Sequence, residues 1–563
     1  MASGRSGFDI SRVVITGFKC IREPLSVDLE RDLNILVGDN GVGKSTILEA
    51  LHLALTGQYR GEPIRRALSQ SLFNIDNVGK FIADVGNGNL ATLPRISIEV
   101  FLESNNQSDE SELSGGVNSL RQRRCGFTFS IEFDESFREE LESLPLGSLK
   151  SLPIEYYDVR WMTFADAQIT PRSIPVRSVM INPAGEWRGS VDERVSRTLL
   201  DGLDTKHQMA LAQSARTMFD SWNAEESLLA ASGSLPAIGI EDIGEVDLVA
   251  NPGTMESWKR NLVIRLKRIP YGHIGAGSQS MMQAGMELDK KRPEKTTLLL
   301  FEEPENHLSH TNLNKLVRLI AGGADGRKIV LTTHSSYVAN VLGLDNLQIV
   351  GSSDGFTVCA PLRELSSDTF DYFRKLPGYD TLRLVLAGSA ILVEGPSDEL
   401  VVQLAYRQTH DGKLPIEKGI DVISVGSGFL RFLELASCIN RRVLVLTDND
   451  KDPGALHKKY QAFSDCDHIK VNFVEEVYPP NDSNDVDPER KLNWNTLEAE
   501  VLRANGLDAI NSILGKSYRD DASILKYMEG NKTEVALVLF ETYEAVKVPK
   551  YITKGLEWLD GKC

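Results

Sequence analysis

The sequence predicts an α/β protein built from two doubly wound, largely parallel sheets. Three observations carry that expectation. A glycine-rich loop, Gly38-Asp39-Asn40-Gly41-Val42-Gly43-Lys44-Ser45-Thr46, sits between an apolar strand pattern and a helical one. Two continuously apolar runs, 297–301 and 328–332, flank a helix-period segment, as parallel strands buried on both faces do. From about residue 386 a second alternation of strand and helix begins, the pattern of a further sheet with crossover helices.

Taken from the N-terminus, 13–18 and 25–29 read as strands, and Leu33-Asn34-Ile35-Leu36-Val37 as a buried strand entering the loop. The loop fits G-x-x-x-x-G-K-[ST] at every fixed position. Residues 46–55 continue as a helix, with Gly57 as its stop. Strand, glycine loop and helix together aim backbone N–H groups and a helix N-terminus at phosphates. In that reading Asn40, Gly41, Gly43 and Thr46 line the phosphates, Lys44 reaches the β- and γ-phosphates, and Ser45 ligates Mg²⁺. The chain from 90 to 180 is β-rich, with clean alternation over 96–102 and 127–133 and a Ser/Asn/Gly-rich loop over 105–119. Residues 190–232 turn helical and polar, with apolar positions at Leu199, Leu200, Leu203, Met209, Leu211, Met218, Leu228 and Leu229, and read as an inserted helical segment. In the second alternation, 390–393, 421–425 and 443–447 are strands, and 399–407 and 428–438 are helices.

Length and composition set bounds. At 563 residues the chain holds two to four domains. Hydrophobic content of 41% and charged content of 25% fit a soluble globular protein. No apolar run reaches the roughly 18–20 residues of a membrane span, and Met1-Ala2-Ser3-Gly4-Arg5 does not open a signal peptide. The six cysteines are scattered without zinc-ligand spacing, so a reduced, cytoplasmic protein without a disulfide framework is expected. The net charge of −17 argues against a generally basic nucleic-acid coat protein but leaves room for local basic grooves. Candidates for those are 121–124, 259–268 and 290–292, although charge runs of this kind are more often solvated faces.

Further stretches bear on a nucleotide. Phe301-Glu302-Glu303-Pro304-Glu305 ends a buried strand, where ligands bind in parallel sheets. One carboxylate there can hold Mg²⁺ through water and the next can polarise an attacking water. Thr332-Thr333-His334-Ser335 follows the next strand and puts an imidazole within reach of a γ-phosphate. Gly275-Ala276-Gly277-Ser278-Gln279-Ser280 opens a helix with small residues that let backbone approach an anion. Alone, each is compatible with a charged turn, a structural histidine or a plain helix cap. In this order they resemble the split ABC-type ATPase heads of the RecF and SMC group. The resemblance implies that Lys44 and Ser45 bind ATP and Mg²⁺, and that Glu302 is the Walker B acid. It makes Glu303 the catalytic carboxylate, Asn306-His307-Leu308 the D-loop, His334 the switch histidine and Gly275 to Ser280 a degenerate signature motif. Such heads complete their sites across a dimer. Glu302 stands where most ABC proteins carry Asp and the signature is not LSGGQ, which argues against fast hydrolysis. Gln58 and Gln70 are the nearest candidates for a Q-loop.

The second alternation carries its own acids. Ile391-Leu392-Val393-Glu394-Gly395-Pro396-Ser397-Asp398-Glu399 places a carboxylate after a buried strand and two more at the start of a helix. Leu446-Thr447-Asp448-Asn449-Asp450 places two after another strand, spaced to face one cation. Hard oxygen donors of this kind suit Mg²⁺ or Mn²⁺. The pair resembles the Toprim domain of topoisomerases, primases and nucleases. The resemblance makes Glu394, Asp448 and Asp450 metal ligands with Asp398 and Glu399 beside them. It makes Glu498 the ligand that completes a second metal site and Lys532 the residue that stabilises charge on the phosphate.

An ABC-type ATPase followed by a Toprim domain is the architecture of the OLD (overcoming lysogenization defect) family, to which Gabija nuclease subunits belong. The resemblance implies an ATP-binding, divalent-metal-dependent DNA endonuclease of anti-phage defence. It implies ATPase parts at 1–185 and 257–384, a helical dimerisation insert at 186–256 and a Toprim nuclease at 385–563. Its partners are DNA, a second copy of the chain or a larger homo-oligomer, and, in a Gabija setting, a UvrD-like helicase. Its cofactors are ATP with one metal ion and two Mg²⁺ or Mn²⁺ ions in the Toprim site. The readings that compete are a RecF-type DNA-binding scaffold with an inactive Toprim domain, and a topoisomerase or primase. Neither a zinc module nor a recognisable nucleophile context around Tyr478, Tyr518, Tyr527, Tyr543 or Tyr551 supports the last two.

Overall fold

The computed structural model describes residues 8–561 apart from 87–92, 105–111, 144–148, 183–195, 197–198, 201, 236–247, 252–256, 289–296, 323–326, 344–345, 354–355, 363–364, 376–379, 450, 479–491 and 543. The chain divides into two compact units. One comprises Met1–Pro24, Asp28–Leu33 and Ser45–Thr332, the other Leu25–Val27, Asn34–Lys44 and Thr333–Cys563. The boundary falls inside the glycine-loop motif, between Lys44 and Ser45.

In the first unit, Phe8–Thr16, Ile96–Ser104, Arg124–Phe133 and Tyr157–Thr163 form an antiparallel sheet in that order. The period-2 pattern has the consequence expected of it. Ile96, Ile98 and Val100 are buried, as are Phe127, Phe129 and Ile131 on the neighbouring strand. Phe129 and Trp161 pack at a centroid distance of 4.9 Å. The Trp161 indole N–H donates to Ala54 O at 2.8 Å, fastening the sheet to the helix Lys44–Thr56. Gly17 turns the chain with φ +71°, and a Cβ there would lie 2.1 Å from Arg95 O, so no larger residue fits.

A parallel group follows in the same unit: Ser178–Ile181, Leu298–Glu302 and Lys328–Thr333. The strand Lys328–Thr333 is buried throughout, as its unbroken apolar run requires. The crossover helix His310–Gly322 turns Leu313, Leu316, Val317 and Ile320 inward. Helices Thr205–Asn223 and Glu226–Gly233 confirm helical structure in the inserted segment, and neither buries a residue. The rest of that segment (183–195, 197–198, 201, 236–247 and 252–256) lies outside the described residues, as do the basic residues 290–292.

In the second unit, Leu33–Val37 pairs in parallel with Leu347–Ser353, which pairs antiparallel with Phe356–Pro361. A four-stranded parallel sheet holds the C-terminal half, in the order Ile420–Ser424, Ser389–Val393, Arg442–Leu446 and Ile469–Asn472. One face packs into a core of Ile391, Val393, Leu444 and Leu446 with Val402, Ile524, Met528 and Ile552. Gly555 lets the helix Lys550–Leu559 press on the sheet, since a Cβ would lie 2.9 Å from Leu444 Cδ2. No disulfide joins the five described cysteines. Among the described residues no helix is long and apolar enough to cross a membrane.

Ile391 is wholly buried in the second strand of this sheet. Ile391→Ala is expected to lower stability by about 2–5 kcal/mol, read as a lower urea midpoint with the slope of the transition unchanged.

Candidate functional site

The glycine loop adopts the backbone its sequence demands. Gly41 and Gly43 have φ of +78° and +106°, a region that side chains rarely enter. The Lys44 ammonium is buried and donates to Gly38 O at 3.0 Å and Asp39 O at 2.8 Å. Asn40 N–H turns back to Asp39 Oδ1 at 2.7 Å. A buried cation folded over glycine backbone at a helix start fits a polyphosphate. His334 lies in the same unit as Lys44, immediately after the strand Lys328–Thr333. Ser335 then caps the helix Ser336–Leu342 by accepting from Val338 N–H.

The remaining nucleotide motifs gather in the first unit. Glu302 ends the strand Leu298–Glu302 and accepts from Asn182 Nδ2 at 2.6 Å. Burial chiefly holds the Glu302 acid above the usual carboxylate range, with Glu49 and Glu303 adding to it; the hydroxyl of Ser45 and the Lys19 ammonium oppose. Lys19 is itself paired with Glu49. Glu303 adopts φ +43°, its N–H bonds Thr332 O at 3.1 Å, and its carboxylate accepts from Asn306 Nδ2 at 2.7 Å. A Cβ on Gly277 would lie 2.4 Å from His307 O, so the glycine-rich helix start packs directly on the segment after Glu305. Thr46 is buried, with its hydroxyl 3.4 Å from Cys20 Sγ. Gln70 serves the fold, since its side-chain oxygen accepts from Leu152 N–H at 2.7 Å. Asn182 and Glu49 escaped the sequence reading because neither belongs to a local motif.

The acids of the C-terminal sheet come together at the ends of its strands. Glu394 follows Ser389–Val393 and Asp448 lies just beyond Arg442–Leu446, on neighbouring parallel strands. Glu394 Oε1 accepts from Thr447 Oγ1 at 2.6 Å and from Asp448 N–H at 3.3 Å. Asp398 opens the helix Pro396–Thr409 and accepts from Gly395 N–H at 3.1 Å. Glu498, 4% exposed, arrives on the helix Leu497–Asn505, and Lys532 Nζ lies 3.3 Å from its Oε2.

The electrostatics show how closely these groups sit. Burial, then Glu394, Asp398 and Glu498, pushes Asp448 up to about 9 against the pull of Lys532. Burial, then Glu394 and Glu498, pushes Asp398 up to about 6. Burial works against the Lys532 charge, but Glu498, Asp448 and Asp398 outweigh it and hold the ammonium above its usual range. Glu529, which sequence reading missed, is raised by burial and then by Glu498.

Four hard carboxylates facing one ammonium are a donor set for a divalent cation. Among the described residues no three metal-binding side chains are already drawn to coordinating distance. Present bonds account for part of this, since Thr447 and Gly395 occupy oxygens of Glu394 and Asp398. Asp450 lies outside the described residues.

Glu399 requires a correction. Its carboxylate accepts from Ser424 Oγ at 3.1 Å and Gln403 Nε2 at 3.4 Å, on the side of Ile420–Ser424. One residue turns a helix by about 100°, so Asp398 and its neighbour face different strands. Asn449, another residue the motif did not single out, donates to Val474 O and Glu476 O, both at 2.9 Å, and fixes the turn after Asp448. Tyr551 lies in the field of the acids. Burial, then Asp448 and Asp398, holds its phenol protonated, which makes it a poor nucleophile. Tyr478 donates to Glu476 at 2.6 Å, Tyr518 packs on Tyr527, and Tyr543 lies outside the described residues.

Three family models match parts of the chain. An AAA domain family model matches residues 12–146, and a second AAA domain model, described for AbiEii toxin of type IV toxin–antitoxin systems, matches 288–340. The model of the overcoming lysogenization defect protein-like Toprim domain matches 385–450. No curated protein sequence matches the chain. Among solved structures, the SMC head domain from Thermotoga maritima aligns at 13% identity and TM-score 0.29, covering 62% of this chain and 98% of that one. An SMC head bound to ScpA from Pyrococcus furiosus aligns at 10% identity and TM-score 0.31, covering 63% and 96%. RecF with ATP aligns at 11% identity and TM-score 0.32, covering 63% and 99%.

The acid cluster makes stability depend on pH in a fixed direction. Asp448 and Asp398 bind protons more tightly folded than unfolded, so they favour folding below about pH 4, and that contribution is lost as pH rises towards about 6 for Asp398 and about 9 for Asp448. In chelator-treated protein the melting temperature is expected to fall between pH 6 and pH 9, and Asp448→Asn is expected to flatten that fall. An equal slope in the variant would contradict the assignment.

Proposed function

Because the chain joins an AAA ATPase domain to a Toprim domain of the OLD family, we propose that it is a nucleotide-regulated, divalent-metal-dependent DNA endonuclease. One observation carries the reading: the half-buried Glu394 and Asp448 meet at neighbouring strand ends, with the half-buried Asp398 at the start of the adjoining helix and the buried Glu498 beside the Lys532 ammonium. Such a cluster costs stability unless a cation enters it.

In this reading Glu394, Asp448 and Asp450 hold one ion, and Asp398 and Glu498 complete the place of a second. When bound, two such ions supply a water activated for attack and neutralise charge on the leaving oxygen. The chain's own groups do the rest. Thr447 Oγ1–H and Asp448 N–H fix the orientation of Glu394. Asp448, held at about 9 by burial and its acidic neighbours, would have to lose its proton to serve as a ligand. Lys532, beside Glu498, presents an ammonium to a phosphodiester.

The ATPase parts act on this centre from outside the chemistry. Lys44 and the loop backbone bind the phosphates of ATP, Ser45 and Glu302 hold its Mg²⁺, Glu303 polarises water and His334 senses the γ-phosphate. The helical insert at 186–256 joins two copies, and 385–563 is the nuclease domain. The biological setting is anti-phage defence, with a separately encoded Gabija-type helicase as partner.

Supercoiled plasmid incubated with Mg²⁺ or Mn²⁺, with and without ATP, tests the proposal. Wild-type protein is expected to nick or linearise it. Glu394→Ala is expected to slow cleavage by more than about 100-fold while still binding ATP. Lys44→Ala is expected to lose ATP binding and the response of cleavage to ATP. Cleavage by Glu394→Ala at the wild-type rate would overturn the reading.

A further inference from the structure

Beyond the strand Ile469–Asn472 the chain runs through residues 473–478 without helix or strand. Two asparagines grip the backbone of this segment, one from each part of the chain that delivers an acid. From the Asp448 turn, Asn449 Nδ2 donates to Val474 O and to Glu476 O, both at 2.9 Å, and its Oδ1 accepts from Lys451 N–H at 3.0 Å. From the approach to the helix Leu497–Asn505, which carries Glu498, Asn495 Oδ1 accepts from Tyr478 N–H at 3.0 Å and its Nδ2 donates to Tyr478 O at 3.3 Å. Only a carboxamide offers two N–H donors and an acceptor on so short a stem. Asn449 is 2% exposed and Asn495 3%, so these bonds are made away from water. A third tie reaches the same helix. The Arg503 guanidinium lies 3.2 Å from the centroid of the Tyr478 ring, and its Nη2 donates to Trp494 O at 2.9 Å.

We propose that Asn449 and Asn495 are positioning residues of the metal site, which act through the backbone of 474–478 to hold the Asp448 turn and the start of the Glu498 helix at one separation. This deepens the metal-dependent reading above and rests on it. Asp448 follows a sheet strand, whereas Glu498 stands on a helix, so no strand pairing sets the distance between them. Leu497, Val501 and Leu502 share a core with Val393 and Leu446. Such apolar contact is non-directional and joins helix and sheet without aligning their ends. The directed hydrogen bonds of the segment supply the alignment. They also resist the mutual repulsion of the carboxylates, and they add no charge to the site. Neither asparagine is assigned to the ion; each acts on where its ligands stand.

Calorimetric titration of Mn²⁺ into the nucleotide-free full chain reads the site without cleavage. Glu394→Ala serves as the reference: if it binds Mn²⁺ as wild type does, the metal reading fails and this proposal with it. With binding lost in Glu394→Ala, the asparagines are tested separately. Asn449→Asp, which turns two donors into acceptors facing carbonyls, and Asn495→Ala are each expected to bind Mn²⁺ about 10-fold or more weakly than wild type. The double variant is expected to match the weaker-binding single variant within about 3-fold, because either change releases the same segment. Asn449→Ser and Asn495→Ser repeat the measurement with milder changes where a first variant does not melt cooperatively. A merely structural role would lower the melting temperature of the metal-free protein and leave the Mn²⁺ affinity of the folded variants unchanged. That result in either asparagine variant, or losses that multiply in the double variant, would overturn the proposal.

Discussion

Burial of like charges is the constraint around which the C-terminal sheet is built. Glu498 is buried and Glu394, Asp398 and Asp448 are half-buried, and burial is the largest influence on both Asp398 and Asp448. A desolvated carboxylate among others is unfavourable by several mechanisms at once. The surrounding structure supplies what relief it can. Backbone N–H groups of Gly395 and Asp448, the Thr447 hydroxyl and the Lys532 ammonium each meet one of the acids. The apolar core beneath, with Ile391, Val393, Leu444 and Leu446, holds the strands rigid enough that the acids do not drift apart. A fold selected for stability alone has no reason to keep this arrangement, which is why it points to chemistry.

Much of this was legible in sequence because the informative features are local. The glycine loop, the two acidic strand ends and the strand patterns at 297–301, 328–332 and 390–393 each lie within a few residues, and the structure has strands at all of these places. Features that depend on distant chain segments were not legible. Asn182 reaches Glu302 across 120 residues, and Asn449 secures the Asp448 turn through carbonyls of Val474 and Glu476. Glu399 shows the limit of spacing arguments. It sits one residue after Asp398, and the turn of the helix carries it to Ser424 instead of the acids.

The unit boundary is a second thing periodicity does not reveal. A strand–loop–helix motif reads as one object, yet compactness separates Lys44 from Ser45 and groups the loop with the C-terminal half. Leu33–Val37 hydrogen-bonds in parallel to Leu347–Ser353, and a buried Gln348–Asn34 contact at 3.3 Å adds a polar lock between them. Gly38 continues this closeness, since a Cβ there would lie 2.0 Å from Val350 O. The phosphate loop is thus carried on strands continuous in the chain with the Toprim half, while Ser45, Glu302 and Glu303 belong with the other unit.

The strands that carry the acids are also tied together at their other ends. Metal affinity in a carboxylate cluster depends on how closely the donors converge, and here they are near one another without being drawn to coordinating distance. The two strands that matter are Ser389–Val393 and Arg442–Leu446, and they pair along their lengths, so their relative position is set at whichever end is constrained. At the acid end the constraint is repulsive. At the other end it is the Arg441 guanidinium, holding Val385 and Gly388 by two hydrogen bonds. The paired strands thus join repulsion among the acids at one edge to a charged clamp at the other.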